Sequence, residues 1–297
     1  VQLTVGKQKG AFGAAVNVAN ISNDVTARID GGNYAKVADV SASALQALTQ
    51  VNGALTAGII WGTDDSVAIM GAAVYNQLDN ILKAEITGAT ITASGDVSAN
   101  TRDFRTGEAV SGYEQILNRS ESDAGAFIST DGADYYDVDA SNDADGPVDP
   151  LTGQPKNGAL IVSGAMAISS ADTAVGAAVV INDINNEFDA KIENSTISAE
   201  AINTRSYAQT FLVSAAGGIA VSTDNGAGGG SVIWNEIDNQ VKSGALKSTL
   251  NSNSVKFQAE NASRLIAVAG QISAGAGNAA VGMALSYNDI VNTTDAY

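Results

Sequence analysis

Histidine and cysteine are both absent from this 297-residue chain, and proline occurs only three times. Without histidine, the commonest side-chain general base and the commonest zinc ligand are missing. Without cysteine there is no disulfide framework, no thiol nucleophile and no thiolate metal site. Secreted bacterial proteins often lack cysteine too, so the absence does not argue for the cytoplasm. Aromatic residues make up only 5%, and no apolar run reaches the ~18 residues that a membrane-spanning helix needs. Basic residues are scarce: 15 Lys and Arg face 32 Asp and Glu, a net charge of −17. A field of that sign repels phosphate backbones and anionic lipid, so neither nucleic acid nor membrane insertion is expected.

What the chain does contain is small and β-branched. Its 45% hydrophobic content is mostly Ala, Val and Ile, which suits a narrow, repetitive β core. The 31 glycines follow no collagen period, and no low-complexity linker is present. The beginning, Val1-Gln-Leu-Thr, resembles neither a signal peptide nor a natural start, so a piece of something longer is expected.

A short motif recurs along the chain. It reads Ala19-Asn-Ile-Ser-Asn23, Asn76-Gln-Leu-Asp-Asn80, Asn182-Asp-Ile-Asn-Asn186, Asn235-Glu-Ile-Asp-Asn239 and Asn288-Asp-Ile-Val-Asn292. The starts lie 57, 106, 53 and 53 residues apart, and 106 is twice 53. A period of this size predicts one structural unit stacked on copies of itself. Before the motif, Ala177-Ala-Val-Val-Ile181 and its counterparts read as strands, ending on a bulky column of Val18, Tyr75, Ile181, Trp234 and Tyr287. Beyond the motif, read as a turn, a second strand alternates through Ile184, Phe188, Ala190 and Ile192, which means one buried and one wet face.

The second motif asparagine (Asn23, Asn80, Asn186, Asn239, Asn292) falls on the buried parity of that strand. A buried amide is costly unless hydrogen-bonded, so these positions are expected to bond to turn backbone or to one another in a ladder. Asparagine is also simply a good turn former. A third strand is read at Val40–Ala44, Val97–Ala99, Ile197–Ala201 and Val255–Ala259. A fourth is read at Ala57–Ile60, Gly158–Val162, Thr210–Val213 and Leu265–Val268. Four strands exceed what one small coil needs, so each copy is expected to be two coils, or three. The fold class expected is all-β: a parallel β-helix (β-solenoid) with ~53-residue repeats and one inserted acidic loop. Parallel coils leave unpaired edges only at the ends of such a rod.

Copy two is too long by about one repeat. The excess divides the chain into solenoid repeats at 1–100, an inserted loop or subdomain at 101–157, and further repeats at 158–297. The insertion holds Tyr113, Phe127, Tyr135, Tyr136 and all three prolines. It carries nine acidic residues from Glu121 to Asp149, with no Lys or Arg between Arg119 and Lys156. Its tyrosines could stack on sugar rings, pack on a protein partner or form the insertion's own core. Within it, Asp143, Asp145, Gly146 and Asp149 match half of a calcium loop, because Ca²⁺ takes about six to eight oxygens from alternating carboxylates around a Gly turn. Asp139 or Ser141 would supply the earlier ligand, although an Asp is expected where Ser141 stands. A solvated acidic loop has the same composition.

The pattern Ala-Ala-Val-x-x-Asn-x-Ile-x-Asn-x-Val-x-Ala-x-Ile, followed by Ile/Val-Ser-Ala, resembles the repeats of very large bacterial surface adhesins. These are the leukotoxin-type filamentous adhesins and the filamentous haemagglutinin-like and autotransporter passenger proteins. The resemblance covers nearly all of the chain except 101–157. It implies a secreted right-handed parallel β-helix that holds binding elements away from the cell surface, and it brings no active-site motif.

The function expected is therefore a structural or adhesive rod segment at the bacterial cell surface, without catalytic residues. Its partners would be a surface glycan or protein, or other copies of itself stacked end to end. The alternative is a polysaccharide-cleaving β-helix enzyme using Asp143, Asp145 and Asp149 with Arg102, Arg105 or Arg119. Against that, the net charge repels anionic glycan. Sequon matches such as Asn194-Ser-Thr196 and Asn292-Thr-Thr294 fit chance in a chain rich in Asn, Ser and Thr. If Asp139, Ser141, Asp143, Asp145 and Asp149 hold calcium, a chelator should speed proteolysis within 101–157. Identical digestion with and without chelator counts against the site.

Overall fold

A computed structural model describes residues 1–7, 9–61, 65–104, 159–261, 263–276 and 279–297. Among these there are fourteen strands and no helix. They are β1 (Gln2–Gly6), β2 (Gly10–Asp30), β3 (Asn33–Val37), β4 (Val40–Ala47), β5 (Thr49–Ile60), β6 (Val67–Thr87) and β7 (Thr90–Ala93). Then follow β8 (Val97–Phe104), β9 (Ala159–Glu193), β10 (Thr196–Ala208), β11 (Thr210–Leu246), β12 (Thr249–Asn261), β13 (Arg264–Gly275) and β14 (Ala279–Ala296). Leu45–Val51, whose leucine spacing also suits a helical turn, lies in β4, β5 and the single residue between them.

All the sheet pairings are parallel, and each joins a residue to the same place in the next copy. Val18 lies beside Tyr75, Tyr75 beside Ile181, Ile181 beside Trp234 and Trp234 beside Tyr287. No described strand pairs at half that spacing. One copy is thus one wide coil, where two or three small coils were expected. The motif is not a turn either: β2 and β6 run through it unbroken for 21 residues each. Long strands of this kind, reaching 37 residues in β11, use up the repeat in a single circuit.

Each coil folds back on itself as two facing walls. One is a long wall: β2, β6, the C-terminal halves of β9 and β11, and β14. The other is a return wall. It begins with β3, β7, β10 and β12, together with β4 and β8, and continues through β1, β5, the first halves of β9 and β11, and β13. The turn from long wall to return wall needs one left-handed residue per coil. Gly31, Gly88, Asn194 and Lys247 fill that column with φ of 67°, 64°, 51° and 51°. Glycine and asparagine take this conformation at least cost. Asn194, the head of a sequon, is thus a turn residue here.

The interior tapers. Near the left-handed turn it holds Ile86, Ile91, Val97, Ile192, Ile197 and Ile202, and then Leu82, Phe188 and Val241. At the far corner it holds mostly Ala, Gly and Ser. A Cβ built on Gly218 would lie 2.8 Å from the Gly176 carbonyl, and one on Gly176 would lie 3.0 Å from the Ile219 carbonyl. The walls meet there nearly backbone to backbone.

The registers shift two strand alignments made from sequence. Val97 pairs with Ile202 and Ile197 with Ile91, so Ile197 is not the counterpart of Val40. Thr49-Gln-Val51, not Ala57–Ile60, lies beside Leu160-Ile-Val162. The second slip arises because the coil spends extra residues at the corner between Ile60 and Val67, where the next coil turns between Ala171 and Thr173.

Strand β8 continues through Thr101 to Phe104, so the first residues counted with the insertion on sequence grounds belong to the wall. Ala47 pairs with Phe104 and Thr49 with Leu160. The stretch 105–158 therefore leaves and returns where the preceding coil has consecutive residues, Ala47 and Leu48. The following coil is equally uninterrupted there, with Thr210 beside Ala159.

Candidate functional site

The asparagines of the motif form two columns of hydrogen bonds through the interior. In the first, Asn23 Nδ2 donates to Asn80 Oδ1 (3.0 Å), Asn80 to Asn186 (2.7 Å), Asn186 to Asn239 (2.6 Å) and Asn239 to Asn292 (2.8 Å). Strand alternation explains it, since these residues share a face with Leu78, Leu82 and Ile184, which are fully buried. The second column had gone unnoticed in the sequence. Asn76 donates to Asn182 (2.6 Å), Asn182 to Asn235 (2.6 Å) and Asn235 to Asn288 (2.7 Å). The first and last motif positions are four residues apart and so share a strand face, a signal that was available. Copy one has Ala19 in that place, and the second column stops there.

The return wall completes the amides. Gln46 Nε2 donates to Asn80 Oδ1 (2.9 Å), Asn186 Nδ2 donates to Thr210 Oγ1 (3.2 Å) and Ser214 Oγ donates to Asn235 Oδ1 (3.0 Å). Each ladder thereby fixes the spacing between walls as well as the register between coils.

A second polar cluster lies at the root of 105–158. Asp103 is fully buried, its Oδ1 accepts from the Gln209 backbone N–H (2.8 Å), and its Oδ2 has no hydrogen-bond partner. Burial pushes its carboxyl up to about 7, against the opposing pull of that hydrogen bond and of Arg102. The Arg102 guanidinium lies 5.6 Å from the Tyr207 ring centre, and burial pushes that phenol up to about 12. Of the three arginines considered for lyase chemistry, Arg102 is thus a buried partner of an aromatic ring. Arg105 and Arg119 lie outside the described residues. So do Asp139, Ser141, Asp143, Asp145 and Asp149, and with them Tyr113, Tyr135 and Tyr136. Among the described residues, no group of three or more acidic side chains is placed to hold a metal ion.

The outer surface of the long wall is divided. Beyond the motif it is charged and net acidic, with ion pairs in which Glu85 sits between Arg28 (3.6 Å) and Lys191 (3.0 Å), while Lys83 meets Glu187 (3.1 Å). Exposed pairs of this kind contribute about 0–1 kcal/mol each. Before the motif the same surface is apolar, and the bulky column ends in a Trp234–Tyr287 ring pair with centres 4.3 Å apart.

The chain matches no family model, no curated protein and no solved structure. Its class is the one its own geometry defines, an all-β, β-solenoid-like stack of parallel coils tied by internal amide ladders.

Replacing Asn186 by Leu strands the Asn80 donor and the Asn239 acceptor together. It should lower unfolding stability by about 2–4 kcal/mol in urea titration. Asn292→Leu, on the last coil, should cost less, because only one side of its ladder is lost.

Asp103 also predicts a pH dependence. Its pKa is raised on folding, so the folded state holds the proton more tightly than the unfolded chain. This contribution is fully present below pH 3.8 and is lost as pH rises through about 7. Asp103→Asn should flatten that decline in melting temperature; an unchanged slope between acid and neutral pH would refute the assignment.

Proposed function

We propose that this chain is a structural and adhesive rod segment of a secreted bacterial surface adhesin or extracellular filament. In this reading the coils wind as a right-handed parallel β-helix, and the rod holds the acidic segment 105–158 away from the cell. The observation that carries the reading is the uninterrupted stacking of like positions, with that segment emerging where neighbouring coils pass straight through. A rod so built offers length and a fixed point of attachment, which is what display requires. The likeness of the repeats to those of large surface adhesins supports the same conclusion, as does a chain free of cysteine and histidine.

Partners of the displayed segment would be a surface glycan or protein, with calcium held by the Asp139–Asp149 carboxylates as its ordering ion. Further copies of the chain would stack on the rod end to end, strand edge on strand edge. Weak contacts repeated along a fibre would then combine into firm attachment. The lyase alternative gains nothing from the buried setting of Arg102.

The reading is tested by joining Phe104 directly to Ala159. The shortened chain should keep a β-type circular dichroism spectrum and a melting temperature within a few degrees, because its neighbours already make that connection. On a glycan or host-protein array it should lose the binding of the full chain. Retained binding would remove 105–158 from the adhesive role, and a collapse of the sheet spectrum would mean that the segment is part of the rod.

A further inference from the structure

The narrow end of the coil inverts the usual distribution of side chains. Inside lie mostly Ala, Gly and Ser, with Met70, Val74, Val180 and Ile233 among them, while the outer face of the long wall carries Ile69, Val175, Val179, Val232, Trp234 and Leu285. Ile69 and Trp234, on inner coils, remain 43% and 46% exposed. The four outward positions before the motif contain no ionisable acid or base in any of the five coils, apart from the phenols of Tyr75 and Tyr287. Five strands about 4.8 Å apart and seven residues at about 3.3 Å make a face of roughly 550 Å². That is the upper end of the largest apolar patch on an ordinary monomer.

We infer that this face packs against the same face of a second copy of the chain. Two copies would bury about 1,100 Å² together, just above the ~1,000 Å² that a specific interface needs, so the pair is weak and concentration-dependent. The surface is shaped for it. Over four coils a column of Ala14, Gly71, Ala177 and Gly230 is low beside its bulkier neighbours, and Met283 stands up from it on the fifth. Charge fixes the arrangement. Asp79, Asp183, Glu236 and Asp289 lie just beyond the apolar face on the same wall. A two-fold axis lying in the interface, parallel to the stacking direction of the coils, places the two acidic halves on opposite sides, away from each other.

Sedimentation velocity of the full chain across a concentration series tests the pair. Dimers should accumulate with concentration, and more so in added salt, which screens the repulsion between chains of charge −17. Val232→Glu, an outward change, should raise the dissociation constant at least tenfold with an unchanged circular dichroism spectrum. Leu285→Glu on the last coil is the second variant should the first fail to fold, and Gln240→Glu in the charged half should leave dimers intact. With Trp61→Phe, Trp234 is the only tryptophan, and its emission should move to shorter wavelength as dimers form. A chain that stays monomeric throughout, or assembly unaltered by both Glu variants as end-to-end stacking predicts, would overturn the proposal. Flotation with neutral phosphatidylcholine vesicles would reassign the face to lipid.

Discussion

In-register parallel pairing is the constraint on which everything else rests. Every position in a coil sits beside its own counterpart, so any side chain the sequence repeats becomes a column. Hydrophobic columns tolerate a slip of two residues, because alternation restores the same faces. Amide columns do not. An asparagine displaced by two residues loses its donor above and its acceptor below, and inside the protein each loss costs on the order of 1–3 kcal/mol. The two ladders therefore act as register pins, placed where the walls change from bulky to small contents. Their contacts with Gln46, Thr210 and Ser214 tie the pins to the opposite wall, so coil height and coil width are set by the same residues.

The taper of the coil follows from what the columns contain. Near the left-handed turn, isoleucine columns hold the walls apart. Toward the far corner, glycine and alanine let the walls close until carbonyls face the α-carbons of the opposite strand. At its glycine positions a closed seam of that kind has no room for valine or isoleucine, which enter the interior only nearer the motif, as Val74, Val180 and Ile233 do. Those residues still promote strand formation, and many of them stand on the outside. The exterior apolar face thus accompanies a tight interior, and it borders an acidic half on the same wall.

Local chemistry was readable from the residues, whereas the path of the chain was not. Period-two alternation placed Phe188 and Ile192 inside, and the parity of Asn186 pointed to a buried amide. The same reasoning broke at the motif because Asn-rich pentapeptides are common in turns. Here their side chains are satisfied across coils, so the strand has no need to bend. Coil number was hidden for a related reason. A change of wall inside β9 or β11 leaves alternation intact, so no boundary shows in the sequence. The 106-residue spacing is twice 53 by coincidence. Without 105–158, that coil is nearly the size of its neighbours. The Arg102, Asp103 and Tyr207 cluster left no sequence signal, since its members come from different coils and are not repeated.

The placement of 105–158 separates two demands that usually conflict. An inserted segment is free to vary, while a ladder of identical positions is not. Since Ala47-Leu48 and Gln209-Thr210 flank the insertion as ordinary peptide units, the ends of the segment lie one peptide's reach apart, and its length adds little to the loop-closure entropy. The coils above and below keep their pairing whatever the segment contains. The exception is local: Asp103 holds the last turn of wall before the exit through the Gln209 N–H, at the cost of a buried carboxyl with one oxygen unsatisfied. A buried acid at the root of 105–158 couples the exit strand to pH. That makes this corner the place where solution conditions act on the coil without disturbing the amide ladders.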